Sequence, residues 1–162
     1  MTSPSSSLPS LIIVTGRPGS GKTTLSRRIA PIIHCPLIIR DDLKEGIVNT
    51  TGDKGEPAGP LTLEVYNLFF DTIESLIRHS VSLVAEAAFQ HKNWAPELAM
   101  QRVQDRRQKD PRWDEFHNPP LDQTLQKPNH YEPPNLGVPI LRVDTSESYQ
   151  PPIEAIQEFV LN

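Results

Sequence analysis

The stretch Gly16-Arg17-Pro18-Gly19-Ser20-Gly21-Lys22-Thr23, directly behind the apolar run Leu11-Ile12-Ile13-Val14-Thr15, constrains this chain more than any other feature. It fits the pattern G-x-x-x-x-G-K-[ST], which average residue usage would produce by chance in a chain of this size with odds of about one in a hundred or lower. The run before it is rich in β-branched residues and bounded by glycine, as a strand buried on both faces of a parallel sheet is. Behind it, Thr23 to about Ile33 has helical spacing, with Leu25, Ile29 and Ile32 facing inward and Pro31 closing or kinking the end. Strand, glycine loop and helix in that order make a cradle for phosphate. The glycines let backbone N–H groups wrap around phosphate oxygens, and the helix start adds a favourable dipole. Lys22 is then expected on the β- and γ-phosphates and the Thr23 hydroxyl on Mg²⁺. Gly16, Arg17, Pro18, Gly19, Ser20, Gly21 and Thr24 complete the expected contact with a nucleoside triphosphate, ATP with Mg²⁺. The rival reading is a surface Gly-Ser turn with an incidental lysine, and it leaves the flanking strand and helix unexplained.

A chain of 162 residues, 36% of them hydrophobic, is expected to form one domain with a packed core. Residues 1–10, rich in Ser and Pro, read as a disordered tail, and residues 11–162 as the folded domain. The tail has neither the basic stretch nor the apolar core of a secretion signal. No apolar run approaches the roughly 20 residues that span a bilayer, so no membrane partner is expected. Cys35, the single cysteine, has no partner for a disulfide or a zinc motif. A reducing, cytoplasmic setting and a monomer are the expectations. The net charge of −4 gives no overall attraction to nucleic acid, although a local patch leaves that partner open.

Further along, Leu37-Ile38-Ile39 reads as a second buried strand, leading into Arg40-Asp41-Asp42 and a short helix carrying Leu43, Ile47 and Val48. Residues 49–60 hold several glycines and prolines and read as a mobile loop. Leu61 to about His79 is an amphipathic helix with Val65, Leu68, Phe69, Ile73, Leu76 and Ile77 along one face. Val81 to Ala85 is a third apolar strand ending at Glu86, and Trp94 to Lys109 has helical spacing. More than half of the 17 prolines then fall between Pro111 and Pro152. Little periodicity survives until Val138 to Val143, a fourth expected strand, and Ile153 to Leu161, a closing helix behind Pro152. This alternation predicts an α/β fold of three layers around a parallel sheet, with ligands beyond the carboxyl ends of the strands. Gly16, Asp41 and Glu86 each lie at such an end.

In a phosphotransferase, a carboxylate at the Asp41 position can take the proton of an attacking hydroxyl. Paired Asp residues also cap helices, and spacing alone leaves the two readings even, with Asp41 assigned towards the site and Asp42 to the helix. Glu86 can help hold the Mg²⁺ shell or be an ordinary strand-end acid. Residues 101–112 are basic, and Arg102 and Arg106 share a helix face. Arginines on a mobile lid stabilise charge on a moving phosphoryl group. One or two of Arg102, Arg106, Arg107 and Arg112 are expected to face the triphosphate, with Arg106 named for that role. A solvated charged helix is the rival reading.

Several stretches together resemble a family. VTGRPGSGKTTL, IIRDDLKEGIV and LVAEAAFQHKNW are similar to the AAA-type ATP-binding P-loop kinases related to polynucleotide kinase, zeta toxin and chloramphenicol phosphotransferase. The resemblance implies a kinase-like strand order 2-3-1-4-5, Asp41 as general base, Lys44 as an acceptor contact where an Arg is usual, and Glu86 as the acid of the third strand. It also implies a lid over about 101–137 and, in residues 138–160, the final strand, base-side loop and last helix. In one respect the chain departs from the pattern. No apolar run separates the Trp94 helix from the lid, so strand 4 is expected to be missing, leaving the edge beside the phosphate-loop strand open. The expected function is a kinase that moves the ATP γ-phosphate to a hydroxyl-bearing acceptor. The alternatives are a nucleotide-binding protein without catalytic activity and a 5′-hydroxyl polynucleotide kinase.

Overall fold

The computed structural model describes residues 8–16, 18–52, 60–88 and 137–162. Strand β1 (Leu11–Thr15) leads through the glycine loop into helix α1 (Lys22–Ile32), followed by β2 (Leu37–Ile39), α2 (Arg40–Thr51), α3 (Pro60–Arg78) and β3 (Leu83–Ala87). A last helix, α4, spans Ile153–Leu161. The three strands form a parallel sheet in the order β1-β3-β2, so β3 is central. That is the 2-3-1 part of the expected order.

Parallel register puts Leu11 beside Leu83, Ile13 beside Ala85 and Val14 beside Glu86, while Ile39 faces Glu86 from the other side. Because side chains alternate along a strand, each face of the sheet has its own core. On one face, Val14 and Val84 pack with Leu25, Ile29 and Ala30 of α1 and Ile156 of α4. On the other, Leu83, Ala85 and Ala87 pack with Phe69 and Ile73 of α3. All five residues of β3 are buried, the acid Glu86 among them, as in a strand covered on both faces.

Several boundaries differ from the sequence expectation. Helix α2 continues to Thr51, where Gly52 ends it with φ of 73°, so residues 49–51 are helix and not loop. Strand β3 starts two residues later than expected, which moves Glu86 from the strand's end into its ladder. Leu68 does not join the inward face of α3 and is 41% exposed, because the helix turns Phe69 and Ile73 to the sheet and Val65 to α2 instead. Residues 138–143 form no ladder, although Leu141 and Val143 pack against the α1-side core. Pro139 removes one donor that a ladder there would use, and the sole pairing nearby is the isolated bridge of Asp144 with Gln150.

Among the described residues β1 has one strand neighbour, β3; residues 89–136, where strand 4 is expected to be missing, lie outside the described residues. Leu11 and Ile13, on the α3 side of that edge strand, are 42% and 44% exposed. The expected helix at Trp94–Lys109, the lid and Arg17 lie outside the described residues.

Candidate nucleotide and phosphoryl-transfer site

Gly19 and Gly21 adopt φ of 82° and 81°, the left-handed region where a Cβ is penalised. The loop can therefore reverse twice within three residues before Lys22 opens α1. Gly21 stands at the helix N-cap without any side-chain cap, so the first-turn N–H groups of α1 keep their donors for something outside the helix. The Oγ atoms of Thr15 and Ser20 are also buried without a protein hydrogen-bond partner. Unpartnered hydroxyls beside a loop of positive-φ glycines fit a ligand rich in acceptor oxygens. Thr145, far along the chain, donates to the Ser20 carbonyl at 2.6 Å and ties the C-terminal segment to this loop.

Glu86 rises into the same place from β3. It is 1% exposed, with Oε1 3.6 Å from Lys22 Nζ and Oε2 accepting from Thr23 Oγ1 at 2.9 Å. Burial pushes the Glu86 carboxyl above its ordinary 4.5; the Lys22 charge and the Thr23 hydrogen bond draw it down, and the charge of Asp41 pushes it up again. An acid with a raised folded value binds more protons folded than unfolded. The ligand-free protein should therefore gain stability as pH falls towards 4.5 and lose it as pH rises through the raised folded value. Thermal denaturation between about pH 7 and pH 5 should reveal this slope, and Glu86→Gln should flatten it.

The two aspartates at the start of α2 separate cleanly. The helix is capped by Ile39, so neither residue is the N-cap. Asp42 points away to Arg27 of α1, accepting at 3.1 Å on each carboxylate oxygen in an exposed pair. Asp41 stays at the sheet edge, where its charge acts on both Glu86 and Lys44. Its Oδ1 accepts from Arg40 Nη1 at 2.8 Å, and its side chain is 36% exposed, within reach of a solute. Lys44, half-buried one turn along, is held below its ordinary 10.5 by burial and by the Arg40 charge, against the pull of Asp41.

Phosphate-loop residues, Glu86, Asp41 and Lys44 thus come together at one sheet edge. Arg102, Arg106, Arg107 and Arg112 lie outside the described residues. Two participants escape a reading of the sequence. Thr145 lies 125 positions from its partner, with no local signal. Tyr66 of α3 places its ring 4.5 Å from the Arg40 guanidinium carbon, a contact only helix packing creates. Arg40 itself, at a strand end beside Asp41, was open to being singled out.

A family model described as AAA domain matches residues 11–105. Among solved structures, a candidate kinase from Chloroflexus aurantiacus J-10-fl is similar with TM-score 0.77 and 23% identity, over 96% of this chain and 98% of that one. At that identity the likeness extends to the fold, an α/β P-loop kinase-like arrangement. The Pnkp1/Rnl/Hen1 RNA repair complex aligns over 78% of this chain and 40% of its own, with TM-score 0.39 and 19% identity. No curated protein matches the sequence. Among the described residues, no helix is long and apolar enough to cross a membrane.

Proposed function

Since the chain belongs to the AAA domain family, we propose that it transfers the γ-phosphate of ATP·Mg²⁺ to a hydroxyl acceptor. The observation that carries this reading is the convergence on Glu86, which touches Lys22 and Thr23 and feels the charge of Asp41. A phosphate-binding cation, a hydroxyl for a metal and an outward carboxylate are then neighbours, as phosphoryl transfer requires.

In this reading Lys22 exchanges its contact with Glu86 for the β- and γ-phosphate oxygens, helped by the loop amides around Gly19–Thr24. Thr23 Oγ1 and Glu86 would hold Mg²⁺, an ion that takes few protein ligands and shares the rest with phosphate and water. When bound, the ion neutralises charge on the phosphates. Asp41 takes the proton of the acceptor hydroxyl as its oxygen bonds to the γ-phosphorus and the bond to the departing ADP oxygen breaks. Lys44 contacts the acceptor, and Arg106 or a neighbouring lid arginine balances the moving charge.

Thermal denaturation with and without ATP·Mg²⁺ tests the donor half. A ligand at a hundred times its Kd stabilises the folded state by about 2.7 kcal/mol, so a clear upward shift in Tm is expected. Lys22→Met should lose most of that shift. No shift in the unsubstituted protein would overturn the reading. The acceptor half is tested by ADP formation against a panel of hydroxyl compounds and 5′-hydroxyl oligonucleotides.

A second reading, a nucleotide-binding protein without catalytic activity, is favoured by the exposure of Leu11 and Ile13 on β1, which has a single strand neighbour among the described residues. Stabilisation by ATP·Mg²⁺ together with no ADP above background for any acceptor would support it.

A further inference from the structure

We propose that Tyr66 and Arg40 form a positioning pair that holds the Asp41 carboxylate in the orientation its proton transfer needs. This rests on the reading of Asp41 as general base. Arg40 and Asp41 are consecutive residues in the first turn of α2, and consecutive side chains on a helix do not face each other. They are nevertheless paired at 2.8 Å. The ring of Tyr66, on a different helix, lies under the guanidinium and turns it back across the helix end towards Asp41.

Three features separate this arrangement from an ordinary surface ion pair. Arg40 is only 15% exposed, and its Nε is buried without a hydrogen-bond partner, so a donor has been given up where the guanidinium sits over the ring. Lys44, four residues on, carries a like charge on the same helix face, and its ammonium is disfavoured by Arg40. Tyr66 is itself braced. It stacks on Phe70 at 6.3 Å, and its neighbour Val65 is wholly buried between α2 and α3. The local geometry works against itself at two points, and what it achieves is a carboxylate whose Oδ1 is held by the Arg40 guanidinium.

The test measures ADP released from ATP·Mg²⁺ with water and with each acceptor of the same panel of hydroxyl compounds and 5′-hydroxyl oligonucleotides, alongside the ATP·Mg²⁺ thermal shift of each variant. Arg40→Met and Tyr66→Leu should lower kcat by about tenfold to a hundredfold, the scale of a misplaced reacting group. KM for ATP and the thermal shift should stay within about twofold, since the donor site is untouched. Tyr66→Phe keeps the ring and should remain within about twofold of the unsubstituted rate. Arg40→Lys should recover only part of the loss, because an ammonium lacks the planar face. The double variant should be no slower than Arg40→Met alone, as expected of two groups acting through one contact. If Asp41→Asn is inactive while Tyr66→Leu retains full kcat, the positioning pair is overturned and the base assignment stands. A fall in kcat that comes with a lost thermal shift marks a structural role and also overturns it. No ADP from the unsubstituted protein with water or with any acceptor of the panel overturns the kinase reading, an unchanged rate for Asp41→Asn overturns the base assignment, and either result overturns this inference with it.

Discussion

Asp41→Asn is expected to lower phosphoryl transfer by about 10²–10⁴-fold, the ordinary contribution of a positioned base, while leaving the ATP·Mg²⁺ thermal shift intact. The substitution preserves shape. An amide oxygen can still accept from Arg40 Nη1, so the start of α2 should keep its geometry while losing a group that takes up a proton. Neither neighbouring acid can take over. Asp42 is held by both of its oxygens on Arg27, on the α1 side. Glu86 is 1% exposed and engaged with Lys22 and Thr23. Initial rates of ADP formation with any acceptor that supports turnover check this, and an unchanged rate removes Asp41 from the chemistry.

The second large effect concerns stability. Phe69→Ala should cost about 3–5 kcal/mol in chemical denaturation, a large share of the 5–15 kcal/mol that holds a typical domain together. The physical reason lies in β3. Its α3-facing residues include Ala85 and Ala87, too small to fill the space between sheet and helix, so the volume comes from Phe69, which is wholly buried against them. Truncating the largest member of that layer leaves a cavity whose walls cannot collapse far, because the strand beneath is fixed by ladders on both sides. Leu63→Ala, on the same helix but 64% exposed, should change stability by no more than about 0.5 kcal/mol. Equal effects at the two positions would mean that the sheet–helix layer is not the stabilising core.

Much of the site was legible because its signals are local. The phosphate loop is a short pattern in which two glycines must adopt positive φ, so sequence and conformation imply one another there. Apolar runs bounded by turn residues located β1 and β2 closely, and placed Glu86 on the third strand. Asp41 against Asp42 was not legible in spacing, and the assignment of Asp41 to the site leaned on the family resemblance. Both are acidic residues in the first turn of one helix, and nothing in their spacing tells which one turns to Arg27. Equally hidden was the failure of residues 138–143 to join the sheet. An apolar run predicts a willingness to be buried, but a ladder needs a neighbour at the right distance, and sequence does not supply that.

The sequence by itself determined the phosphate loop, the parallel α/β layering, the family and the identity of the acids at the strand ends, since each follows from residue type and short-range periodicity. Only the tertiary structure decided how those groups are used. It closed Lys22 and Thr23 onto Glu86, sent Asp42 to α1, backed Arg40 with Tyr66, tied Ser20 to Thr145 and left Leu11 and Ile13 exposed on the edge of β1. Contacts between residues far apart in the chain depend on which faces the packed layers turn towards one another. The three-dimensional arrangement fixes that, and no local pattern encodes it.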